Sequence, residues 1–367
     1  MMDHLSKFRL AVIASLLVSG CAKGQTDPMT SARPSLSPPI VIAHRGASGL
    51  RPEHTLAAYE LAIEQGADVI EPDLVPTKDD VLVARHENDI SDTTDVADHP
   101  EFAGRRTTKK IDGKTITGWF TEDFTLAELK TLRAKERVPL LRPGNTAYDG
   151  RFEVPTLAEI IALAKRESKA RGRTIAIYPE TKHPGYFASI GHAIEPRLIA
   201  ELKQAGWDSA DAPVFIQSFE VDNLKALHAL TPVRLIQLLD KEGGPADGAV
   251  ARYAAMTTPA GLKAIAAYAW GIGPNKAMVM NGRMPTDLVR DAHAAGLRVH
   301  PWTFRAENYF LPSTYRKGIN PRGHGDVAGE IRDQLQAGID GFFTDFPAIG
   351  VEARDAARTA APARSAE

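Results

Sequence analysis

With one cysteine in 367 residues the chain can form no internal disulfide, so its fold must rest on an apolar core. Net charge is nearly absent as well: 44 Lys and Arg against 46 Asp and Glu leave −2, a field too weak to gather nucleic acid, and no such partner is expected. From Ile40 onward no apolar run is long enough to span a bilayer. The acidic stretch Asp89, Asp92, Asp95 and Asp98 lacks the spacing and central glycine of an EF-hand loop, which argues against a calcium site there.

The first 24 residues differ from the rest. Lys7 and Arg9 precede an apolar run, Leu10 to Val18, of signal-peptide length. Val18-Ser19-Gly20-Cys21 resembles a bacterial lipobox, which makes Cys21 the expected lipidation site and the protein an exported, periplasmic lipoprotein with a membrane anchor. The plainer alternative is ordinary cleavage near Ala22. Residues 25–39, rich in Ser, Thr and Pro, read as a flexible linker. Residues 356–367, rich in Ala, Arg and Pro, read as a disordered tail.

Between them, residues 40–355 alternate short β-branched runs with amphipathic patterns, the rhythm of a parallel sheet with helical crossovers. Nine strands are expected: Ile40 to His44, Asp68 to Asp73, Val81 to His86, Thr174 to Glu180, Pro213 to Phe219, Val233 to Leu238, Ala269 to Gly273, Leu297 to Trp302 and Gly341 to Asp345. Val81 to His86 follows its predecessor after too short a turn for a parallel crossover, so those two are expected to pair as a hairpin. That leaves eight staves for a (β/α)8 TIM barrel, a fold that about 250 residues plus insertions satisfies. Residues 87–151 break the rhythm and read as a polar insertion on one loop.

Polar residues gather where staves end. His44, Arg45, Glu71, Asp73, His86, Glu180, Lys182 and Trp302 all fall at or just past C-terminal strand ends, which converge on one mouth of a barrel. Glu71 and Asp73, two apart, share a strand face, and Glu180 arrives from another strand. Three converging carboxylates repel unless a cation lies among them. All-oxygen ligation suits a hard divalent cation, calcium ahead of magnesium, and not zinc. His44 and His86 suit a general acid and base; Arg45 and Lys182 suit phosphate. Phe219 and Trp302 suit an apolar wall, with core packing as the alternative.

In order along the chain stand His44-Arg45-Gly46, Pro52-Glu53-His54-Thr55, Glu71-Pro72-Asp73, Thr77-Lys78-Asp79, His86, Pro179-Glu180-Thr181-Lys182, Gly271-Ile272-Gly273-Pro274 and Phe343-Thr344-Asp345-Phe346-Pro347. This series resembles the glycerophosphodiester phosphodiesterase family in its periplasmic branch. The resemblance implies a (β/α)8 barrel with an insertion after the second histidine, and hydrolysis of a glycerophosphodiester to glycerol 3-phosphate and an alcohol. It implies Glu71, Asp73 and Glu180 as metal ligands, His44 and His86 as the acid–base pair, and Arg45 and Lys182 as phosphate contacts. Two positions depart from the pattern: Glu87 stands where Asp often follows the histidine, and Thr181 replaces an apolar residue. His54 is expected to cap a helix or touch the pocket edge. A sphingomyelinase-type lipid phosphodiesterase and a non-catalytic surface lipoprotein are the competing readings. A glycosidase using Glu71 and Glu180 leaves both histidines without a role. A homodimer stays open.

Overall fold

The computed structural model describes residues 38–360; Cys21, the signal-like segment and most of the expected linker lie outside them. Eight staves close into a parallel barrel. The first, Ile40–His44, pairs with Val69–Glu71 on one side and Gly341–Thr344 on the other. The third to sixth staves continue through Ala176–Ile177 with Glu180–Thr181, then Phe215–Ser218, Arg234–Leu239 and Gly271–Pro274. The seventh stave, Arg298–Val299, is shorter than expected because Pro301 has no N–H for the ladder. Closure onto the eighth is made by Asp340 N–H to Val299 O at 2.9 Å and Phe343 N–H to Pro301 O at 3.0 Å.

Two further prolines shape the mouth. The strand expected over Asp68 to Asp73 is broken at Pro72 into Val69–Glu71 and Asp73–Pro76, and Pro179 breaks the third stave in the same way. Each proline offers only its carbonyl: Pro72 O accepts Glu180 N–H and Pro179 O accepts Gln217 N–H, both at 2.9 Å. The breaks let Val69–Glu71 pair with the first stave while Asp73–Pro76 pairs with Glu180–Thr181. Leu82–Ala84 pairs antiparallel to Asp73–Pro76, the expected hairpin, and is not a stave.

Ile42, Val69, Tyr178, Phe215, Ile236 and Phe343 fill the barrel interior, so it is a packed core and not a pore. A larger cluster lies between staves and helices. Among the helices, Leu157–Arg171 shows how local chemistry sets the ends: Thr156 and Glu159 form a reciprocal capping box, and Gly172 closes it in the left-handed region. The last helix, Pro347–Ala360, runs into the stretch expected to be disordered from Ala356. Ala and Arg favour helix, and Arg354 ties this one to Asp68 at 2.7 Å. Among the described residues no helix is long and apolar enough to cross a membrane.

The insertion is less polar than its composition suggests. Ile90, Val96, Phe102, Phe124, Leu129 and Leu132 are buried and join the main core. From that base projects a hairpin, Thr107–Ile111 with Lys114–Gly118. Its two turn residues, Asp112 and Gly113, both have positive φ, as a two-residue hairpin turn requires.

Candidate active site

At the C-terminal mouth, strand register sets the polar residues side by side. His44 is level with Glu71, Asp73 with Glu180, and Glu180 with Gln217. Glu71, Asp73 and Glu180 each offer an oxygen, all within 4.8 Å of one another, and all three side chains are buried. Burial first, then repulsion from Asp73 and Glu180, pushes the Glu71 carboxyl well above its ordinary range. Burial likewise raises Asp73 and Glu180, although Lys182 opposes it at both.

The cations at hand offset this only in part. Lys182 Nζ donates to Glu180 Oε1 at 2.9 Å. Arg45 donates through Nη1 to Glu53 at 3.0 Å and through its backbone N–H to Glu71 Oε2 at 2.8 Å. Gln217 Nε2 donates to Glu71 Oε1 at 3.0 Å. Asp73 Oδ2 accepts from His54 at 2.8 Å, while Asp73 Oδ1 is buried with no protein partner. His54 therefore lies fully buried behind the carboxylates, not at the pocket edge, and the helix cap falls to Thr55, whose side chain accepts Ala58 N–H. Both Arg45 and His54 hold positive φ, a conformation that bulky side chains adopt only where the surroundings enforce it.

Both histidines border a cavity of about 160 Å³, shared with Arg45, Glu71, Glu180 and Lys182. His44 Nδ1–H donates to Asp345 Oδ1 at 2.7 Å and His86 Nδ1 lies 3.0 Å from Glu87 Oε1. Burial and the Arg45 charge lower His44 to about 3, and the same two causes hold His86 well below the usual histidine range. Each ring has Nδ1 engaged by a carboxylate, which leaves Nε2 for chemistry. Phe219 and Trp302 meet edge to face, 5.6 Å between ring centroids, and form the apolar side of the same cavity. A larger concavity, about 830 Å³, opens beside Arg234 and Trp270 at the opposite end of the barrel, away from these groups.

The sequence model of the glycerophosphoryl diester phosphodiesterase family matches residues 44–349, most of the chain and every one of these positions. The chain belongs to that family. It is accordingly a phosphodiesterase, and its relatives agree. A glycerophosphodiester phosphodiesterase of Arabidopsis thaliana is 38% identical over 91% of this chain and 93% of its own length. One from Haemophilus influenzae is 30% identical over 95% and 98%. A phosphodiesterase of Oleispira antarctica, solved with the product sn-glycerol-3-phosphate, shares the fold at TM-score 0.56 and 22% identity, covering 87% of this chain and 97% of its own.

Several residues of this phosphodiesterase's site carry no role in the sequence reading. Asp345 and Gln217 sit at strand ends, so the rule that singles out His44 reaches them too. Arg142, inside the insertion, gave no such signal. Its guanidinium is buried, donating to Asp345 Oδ2 at 2.5 Å, to Glu307 Oε1 at 2.6 Å and to Ser48 O at 2.9 Å. Burial alone would raise Asp345, but Arg142 and Arg305 outweigh it and hold the carboxyl well below its usual range.

His183 was also unforeseen. It lies between Glu87 Oε2 at 2.7 Å and Asp112 Oδ2 at 2.5 Å. Burial would lower its pKa, but hydrogen bonds to those two carboxylates raise it from 6.5 to about 9. A histidine raised on folding stabilises fully below its unfolded pKa and loses that contribution as pH climbs through the folded value. His183→Gln will therefore lower the thermal midpoint most near about pH 6, and the gap to wild type will close above about pH 9. A pH series of melting curves checks this; a gap that widens with pH contradicts it.

Proposed function

We propose that the chain hydrolyses glycerophosphodiesters to glycerol 3-phosphate and a free alcohol, with His44 and His86 as the acid–base pair and a divalent cation held by Glu71, Asp73 and Glu180. The observation that carries this reading is the meeting of two imidazoles and two cationic side chains at one cavity, beside a cluster of three buried carboxylates. The donors fit such an ion: all are hard oxygens, their repulsion is only partly offset, and Asp73 Oδ1 is an orphaned buried acceptor. Calcium is preferred to magnesium, because a site built from three separate strand segments suits the larger ion's looser geometry. When bound, the cation would polarise a phosphoryl oxygen and acidify the glycerol hydroxyl beside the phosphate.

One imidazole accepts that hydroxyl's proton at Nε2 as its oxygen bonds to phosphorus. The P–O bond to the alcohol breaks, and the other histidine, which carries a proton on Nε2 once the phosphodiester's negative charge lies beside it, hands that proton to the departing oxygen. Water then opens the cyclic glycerol phosphate with the two roles exchanged, and each histidine returns to its starting state. Arg45 and Lys182 offset charge on the phosphoryl oxygens. Phe219 and Trp302 line the glycerol carbons. A coupled assay for glycerol 3-phosphate on glycerophosphocholine, beside an assay for choline and phosphocholine released from sphingomyelin, tests the reading: turnover of the first alone is expected, and turnover of sphingomyelin alone would overturn it.

The protein is exported and held at a membrane through lipidated Cys21 in this reading, supported by the apolar run and the lipobox-like residues before it. Cys21→Ser will move the protein from the membrane fraction to the soluble exported fraction with unchanged specific activity. A wild-type protein that is already soluble, with its N-terminus past residue 21 and no acyl mass, would contradict the anchor.

A further inference from the structure

The two cavity histidines have matching supports that extend far beyond the cavity. His44 Nδ1–H donates to Asp345, whose other oxygen accepts Arg142 and, at 3.0 Å, Arg305. His86 Nδ1 meets Glu87 Oε1, and the other oxygen of Glu87 accepts His183. In both arms the imidazole meets one oxygen of a carboxylate and a cationic side chain holds the other. Each arm then reaches the insertion: Arg142 belongs to it, and His183 is held by Asp112 at the hairpin turn.

We propose that the insertion is a brace for catalysis, orienting His44 through Arg142 and Asp345, and His86 through Asp112, His183 and Glu87. The proposal rests on the acid–base reading of the two histidines given above. Arg142, Asp345, Asp112, His183 and Glu87 act as positioning residues, fixing each ring so that Nε2 faces the substrate.

The departure at Glu87 has a physical reason within this arrangement. His86 and Glu87 lie beyond the end of Leu82–Ala84, and the Glu carboxylate bridges two imidazoles, 3.0 Å from one and 2.7 Å from the other. Aspartate, one methylene shorter, would not span the same bridge from this backbone position. His183 holds positive φ, at 47°, which a bulky side chain keeps only where its surroundings enforce it, and it is fastened to Asp112 and Glu87. Arg142 is fastened just as firmly, between Glu307, Asp345 and Ser48 O. A purely structural role, pinning the hairpin to the barrel, would show in stability and leave turnover alone.

Kinetics on the full-length enzyme separate the two. Asp112→Ala changes a partly exposed side chain at a hairpin turn, remote from the core, and His183→Ala removes the middle of the arm. Both are expected to lower kcat by roughly 10- to 100-fold with KM near wild type, the usual loss when the partner orienting a working histidine is removed. Combined with Glu87→Ala, neither should add its full loss, because all three act through one ring. His183→Gln keeps an N–H donor toward Glu87 and should recover part of kcat. On the other arm Arg142→Lys keeps the charge, loses the fork to Asp345 and Glu307, and should lower kcat likewise. If Asp112→Ala and His183→Ala keep wild-type kcat, or change only the thermal midpoint or KM, the brace is overturned while the function stands. A wild-type enzyme inert toward glycerophosphodiesters would remove the functional reading and the brace with it.

Discussion

Chelation will abolish turnover, and added calcium or magnesium will restore it. Glu71, Asp73 and Glu180 are buried within 4.8 Å of one another, and burial and mutual repulsion disfavour three ionised carboxylates there. A divalent cation would relieve that repulsion and lower the phosphoryl-transfer barrier by several kcal/mol, so its loss should lower kcat by roughly 10³-fold or more. Glu71→Gln keeps the shape and the acceptor for Gln217 but removes a charge. It should reproduce most of the loss and weaken cation binding in calorimetry. Calcium should support higher kcat/KM than magnesium. Full activity after exhaustive chelation, or in Glu71→Gln without added metal, would remove the cation from the account.

His44→Ala and His86→Ala should each lower kcat by roughly 10²-fold to 10⁴-fold, the span expected for a positioned acid or base. Both residues are at the cavity, and neither is needed for the packing of the barrel interior. Circular dichroism should therefore show the fold intact. The double variant should lose less than the product of the single losses, since neither half-reaction proceeds well with one proton carrier missing. A well-folded His86→Ala enzyme with wild-type kcat would leave His44 to act alone and would demand another proton carrier.

The barrel was legible because its signals are local. Short β-branched runs alternate with helical patterns, and the short turn before Val81 marks the hairpin without any tertiary knowledge. Polar residues at strand ends were legible for the same reason, and the structure brings His44, Arg45, Glu71, His86, Glu180, Lys182, Phe219 and Trp302 to one cavity, with Asp73 behind them. Pro72 was visible in the sequence but its effect was not: breaking one stave into two pairings depends on which neighbours lie alongside. Residues 356–360 of the expected disordered tail are helical, because Ala and Arg are helix formers once Arg354 finds Asp68, and residues 361–367 lie outside the described residues. Arg142 and His183 stayed hidden because their partners are 203 and 96 or 71 residues away in the chain, and no periodic pattern carries such a contact. The buried floor of the insertion was hidden too, its Phe and Leu residues scattered among Asp, Thr and Arg.

The central claim is the choice of bond: phosphorus stays with glycerol and the alcohol leaves. Phosphorus NMR of glycerophosphocholine incubated with the enzyme and calcium follows that choice directly. A single final phosphorus product, glycerol 3-phosphate, is expected, formed in step with free choline. Phosphocholine and glycerol in its place would contradict it.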